Sequence, residues 1–103
     1  MRARVTPAQG GSLPTEESLR RFMQAEGLRP HSWENGPHDA YGAHSHAYNK
    51  VIYVVSGSIV FGLPEEGAEI ELKAGDRLDL PKGTVHDATV GALGVTCLEA
   101  HKD

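Results

Sequence analysis

One cysteine, Cys97, is all that this 103-residue chain carries. An internal disulfide framework is therefore excluded, and a reducing compartment is expected. Long apolar runs are missing as well: no stretch approaches the ~20 residues needed to cross a bilayer. Positive charge is scarce, with 10 Lys+Arg against 14 Asp+Glu and a formal net charge of -4. That balance argues against nucleic acid or an anionic membrane as a partner. Arg2 and Arg4 stand near the N-terminus with no apolar run behind them. No secretory signal is read there, and a cytoplasmic protein is expected. Three further patterns are absent: a Ser-His-Asp order, a phosphate-cradling glycine loop and a basic-aromatic stripe.

What is abundant is punctuation. Twelve glycines and six prolines interrupt the chain at short intervals, which suits an all-β fold with tight turns. At this length a single domain is expected, divided into an N-terminal arm and helix (1–29) and a β-barrel (30–103). Residues 1–11 read as a loose arm. A helix is predicted from Thr15 to Glu26, with Thr15 as N-cap and Glu16 and Glu17 in the first turn. Leu19, Phe22 and Met23 share its apolar face. Gly27 is placed to end it, with Leu28 folding back on the last turn.

Short strands follow. They are predicted near 31–34, 41–47, 50–56, 58–62, 69–72, 77–80, 85–90 and 94–100, separated by turns that include Gly57 and Gly91. Glu69 to Leu72 and Arg77 to Leu80 alternate polar and apolar, as strands with one wet face should. Val51-Ile52-Tyr53-Val54-Val55 does not alternate, so both of its faces need cover. The helix or a second subunit are the two candidates, and a homodimer is the expectation.

The chemistry concentrates in the histidines. His44 and His46 are two residues apart, so on a strand they project to the same side. His86 follows the turn Pro81-Lys82-Gly83, and a closing barrel can bring it to face the pair across the interior. Three imidazoles at one point are a real metal-ligand set, since zinc accepts three histidines plus a water. Lys50 stands close in sequence to this set. It can be read as a substrate-binding or acid/base residue, or as an ordinary strand-end lysine reaching to water. Asp87 and Glu99 are conceivable partners for it. Tyr48 and His38 are further candidates for contacting a ligand, although a tyrosine there is more often packing and His38 more often surface. The bland reading of the histidines is a hydrogen-bonded polar pocket without a metal. Cys97 reads as a small buried hydrophobe.

In their spacing, these residues resemble the two motifs of the cupins. The first stands here as His44-x-His46-x3-Lys50-x6-Gly57 and the second as Gly75-x5-Pro81-x-Gly83-x2-His86. His38 occupies the first motif's opening glycine position, Lys50 its glutamate position, and Val90 the second motif's asparagine position. The resemblance, to a small single-domain cupin, covers roughly residues 30–100. It implies a jelly-roll β-barrel of all-β class with a short N-terminal helix. It also implies a divalent metal (zinc, iron, manganese or nickel) on His44, His46 and His86. The corresponding function is that of an oxidoreductase or isomerase acting on a small, anionic molecule. The alternative is a metal-free module that binds or senses a small ligand through Lys50 and the histidine pocket.

Overall fold

The computed structural model describes residues 3–8 and 14–102. One seven-stranded sheet dominates it, with strands β1 (Arg4–Thr6), β2 (His31–Asn35), β3 (Ala40–His44), β4 (Asn49–Leu63), β5 (Ala68–Lys73), β6 (Arg77–Leu80) and β7 (His86–Lys102). The strands run in the order β1-β6-β4-β7-β2, with β3 also on β7 and β5 also on β4, and every pairing is antiparallel. β4 and β7 are the two long strands on which the others are hung.

Several of the expected breaks do not occur. Residues 50–56 and 58–62 belong to one strand, β4, and 85–90 and 94–100 to another, β7. Gly57 and Gly91 are passed without a turn. The β4–β7 register shifts between Val54 and Ser56 and again between Gly57 and Ile59, so the glycine there serves irregular pairing within a strand rather than a chain reversal. Gly57 has φ +79°, and a Cβ at this position would lie 2.0 Å from the Gly94 carbonyl oxygen. No other residue fits so close an approach of two backbones. The described part of the arm is paired rather than loose: Arg4–Thr6 pairs with β6 in register Val5↔Leu78, and Asp76 accepts from the Ala8 backbone N–H at 2.8 Å. Residues 1–2 and 9–11 of the expected arm lie outside the described residues.

The helix α1 (Glu16–Ala25) forms as its sequence dictates. Thr15 Oγ1 accepts from the Ser18 N–H and Ser18 Oγ accepts from the Thr15 N–H, a reciprocal cap. Gly27 at φ +79° closes the other end, and the Leu28 N–H reaches back to the Met23 carbonyl at 3.0 Å. Leu19 and Met23 are buried, whereas Phe22 stays 58% exposed and is not part of the packed face.

Two cores result. Ile52, Val54, Ile59, Leu72, Leu78 and Cys97 lie among the residues that fill the sheet's interior. On its outer side α1 lays Leu19, Met23 and Leu28 over Val51, Leu98 and Ala100, with Tyr53 and Val55 at the edge. The non-alternating run of β4 is thereby explained: its outer face is covered by the helix. Arg77 fastens that helix, pairing with Glu26 at its C-terminus and with Asp79 at 3.0 Å, while its guanidinium lies over the Tyr53 ring. Burial pushes the Cys97 thiol up to about 12, so it is an inert core side chain and not a soft metal ligand.

Candidate metal centre

Three elements deliver the histidines. β3 ends at His44, and His46 lies just past it in the connection to β4, so the pair is not carried on one strand. His86 begins β7 and stands opposite His44 in the β3–β7 ladder. It is therefore a cross-strand neighbour of His44, not a residue facing it across the barrel. The turn ahead of His86 is held by the Gly83 N–H donating to the His46 carbonyl at 2.8 Å, which fixes the loop of one histidine against that of the other. One ring nitrogen from each of His44, His46 and His86 lies within 4.8 Å of the others. Ring centroids are 4.3 Å apart for His44 and His86 and 4.9 Å for His44 and His46.

Hydrogen bonds fix the tautomers. His44 Nδ1 lies 2.7 Å from the Gly42 carbonyl and His86 Nδ1 3.0 Å from the Thr84 carbonyl. A carbonyl only accepts, so both Nδ1 atoms carry the proton and both Nε2 atoms present a lone pair. Backbone carbonyls orienting imidazoles in this way are the usual second layer of a metal site. His46 is held differently. Its Nε2 accepts from Lys50 Nζ at 3.1 Å and its Nδ1 meets the Tyr48 hydroxyl at 3.3 Å. Burial first, and then the Lys50 charge, lower the His46 pKa below the ordinary imidazole value. Burial likewise lowers that of His86. Both rings are thus kept neutral, as ligation requires.

Lys50 does not reach to water. It is 8% exposed and its Nζ also lies 3.5 Å from Glu99 Oε1. Of the two carboxylates considered for it, Glu99 is the partner. Asp87 lies beside Gly62 on the neighbouring strand. Glu99 comes from β7, where it pairs with Ile52, and is held in turn by the Trp33 indole N–H at 3.1 Å and by His31 at 3.8 Å. An ammonium thus stands between the histidines and the nearest acid.

His44 and His86 line a cavity of about 180 Å3. Ile52, Ile59, Phe61 and Ala88 form its apolar part, and Lys50 and Glu99 its charged end. Tyr41 and Trp33 also line it, although by sequence each reads more readily as a packing residue. Tyr48 supports from behind, stacked between His46 and His101 with centroids 5.0 and 3.6 Å away, and does not line the cavity. His38 is exposed in the β2–β3 turn at φ 65° and is likewise not part of the lining.

The donor set suits a metal. Three neutral imidazoles match zinc, iron, copper or nickel, and a carboxylate within reach of Lys50 can receive the ammonium when it leaves His46.

A small antiparallel barrel with a histidine cluster at the mouth of its cavity defines the class. The cupin-domain family matches residues 29–92, and the chain belongs to it. None of the curated proteins matches this chain. Among solved structures it is similar to a DUF861-family protein of Thermotoga maritima, at 19% identity and a TM-score of 0.65 over 97% of this chain and 99% of that one. It is also similar to a structure of DMSP lyases (26% identity, TM-score 0.67, covering 74% of this chain and 38% of that one). A third likeness is to the polyketide cyclase RemF of Streptomyces resistomycificus (24% identity, TM-score 0.63, covering 74% and 55%). The chain spans well under two thirds of the last two. The jelly-roll barrel is the shared feature.

Proposed function

We propose that this cupin binds a divalent metal through His44, His46 and His86 and acts on a small organic anion, as an oxidoreductase or isomerase. The observation that carries this reading is the convergence of three oriented imidazoles, two of which line a partly open cavity. A bound metal would supply Lewis-acid polarisation of an oxygen or a site for dioxygen. The chain's own residues do the rest. The Gly42 and Thr84 carbonyls hold two rings in the ligating tautomer. Tyr48 holds the third from behind. Lys50 turns from His46 toward Glu99 and offers its ammonium to the anion. Ile52, Ile59 and Phe61 give the cavity an apolar wall for the substrate's hydrocarbon. A cytoplasmic setting belongs to the same proposal and is supported by the lone buried thiol of Cys97.

Elemental analysis after reconstitution with zinc, iron(II), manganese(II) or nickel(II) tests it. Close to one equivalent of one of these metals is expected, and less than about a tenth with all four would overturn the reading.

One observation favours a second reading, a metal-free binding module. Lys50 already occupies the His46 lone pair at 3.1 Å and can serve as the cavity's permanent cation. In that case the rise in melting temperature on adding ligand survives EDTA. Its loss on chelation would remove this reading.

A further inference from the structure

The cavity itself narrows the ligand class. Its volume of about 180 Å3 is close to that of an apolar protein cavity known to accept benzene, so an occupant of roughly six to nine heavy atoms fits. Ile52, Ile59, Phe61 and Ala88 present hydrocarbon to that occupant. Polar groups converge at the end formed by Lys50 and Glu99. Glu99 is already answered there, by Trp33 at 3.1 Å, Lys50 at 3.5 Å and His31 at 3.8 Å. Lys50 is not. Among the described residues its Nζ meets His46 and Glu99, and an ammonium has three donors. A metal on His46 would release a second donor.

Charge points the same way. Lys50 and Glu99 cancel, so a divalent ion on the neutral histidines leaves two positive charges uncompensated beside a hydrocarbon wall. Buried charge without a counter-charge is costly, and a carboxylate offsets one of the two.

We infer that the cavity selects small monocarboxylates with a compact apolar body, the carboxylate beside Lys50 and the body against Ile59 and Phe61. This rests on the metal reading above for the charge of the loaded site. It goes further in committing to one charged group, to its counter-ion and to a body matched to the cavity's volume of about 180 Å3.

Calorimetric titration of the zinc-loaded chain tests it with three probes: benzoate, its neutral isostere benzamide, and the larger 2-naphthoate. Benzoate is expected to bind at least ten times more tightly than either of the others. Lys50→Met should lower benzoate affinity at least tenfold and shrink the preference for benzoate over benzamide, while Lys50→Arg keeps the preference. Equal binding of benzoate and benzamide to zinc-loaded wild-type protein would overturn the inference and leave the metal reading standing. Equal binding of naphthoate and benzoate would overturn the match of size. A chain that takes up no zinc yet prefers benzoate would overturn the metal reading and support the carboxylate class.

Discussion

The ammonium of Lys50 lies 3.1 Å from Nε2 of His46, on the nitrogen that a metal would need. A resident cation and an incoming one therefore compete for a single lone pair. Two like charges at such a distance repel by several kcal/mol even at an effective dielectric of ~20. Lys50 must move before a third histidine can ligate, and Glu99 is the place it can move to.

Removing the competitor should strengthen the centre. Lys50→Met is expected to bind zinc at least tenfold more tightly than wild type, about 1.4 kcal/mol. Lys50→Glu should bind more tightly still, because it adds a carboxylate to the imidazoles. Competition against a chelating dye measures both. Wild-type affinity in each variant would show that Lys50 does not oppose the metal.

His44 offers a clean test of ligation. Its side chain is exposed on β3 and belongs to neither packed core. His44→Ala should lower zinc affinity by roughly a hundredfold or more, beyond the usual effect of losing an outer-shell partner. The melting temperature of the zinc-free protein should hardly move. Unchanged zinc affinity would place the metal elsewhere or nowhere.

Acid should loosen the helix through Glu26. Its hydrogen bonds to Arg77 hold its carboxyl below the usual value of 4.5. A folded-state pKa below the unfolded one contributes stability that is complete above about 4.5 and is lost as the pH falls through the lower folded value. Glu26→Gln removes that contribution. The variant should be less stable than wild type at pH 7, with the difference shrinking as the pH drops toward 3. Urea unfolding at a series of pH values reads this out, and a constant difference across the series would contradict it.

Gly57→Ala tests the strand irregularity. The added Cβ would meet a backbone carbonyl 2.0 Å away in a left-handed conformation, and neither atom sits on a flexible side chain. A loss of at least ~2 kcal/mol is expected from positive φ and steric overlap together. For a domain of this size that lowers the melting temperature by roughly 10 °C. A shift of only a degree or two would mean that β4 and β7 can separate there without cost.

Much was legible in the chain alone. The helix and both of its ends followed from Thr15, Gly27 and Leu28, because caps are local and each needs only a few neighbouring residues. The spacing of His44, His46, Pro81, Gly83 and His86 resembles the cupin motifs and so implied the barrel, and it named the three histidines that the structure brings together. Periodicity also showed that Val51 to Val55 had two faces to bury. Strand continuity was not legible. Glycine reads as a turn, and only the full extent of β4 and β7 shows Gly57 and Gly91 within strands. Glu99 was legible only as one of two conceivable acids beside Asp87, a lone acid in the apolar run from Val95 to Ala100, and the choice between them needed the fold.

The sequence by itself determined which side chains could ligate and that a cation had taken the motif's acidic position. Composition and spacing are properties of the chain, and they survive unfolding. Only the tertiary structure decided that Lys50 is buried, that it rests on His46, and that its counter-charge comes from Glu99, forty-nine positions further along. Those facts depend on which strands lie side by side, and contacts between distant residues exist only once the sheet has closed.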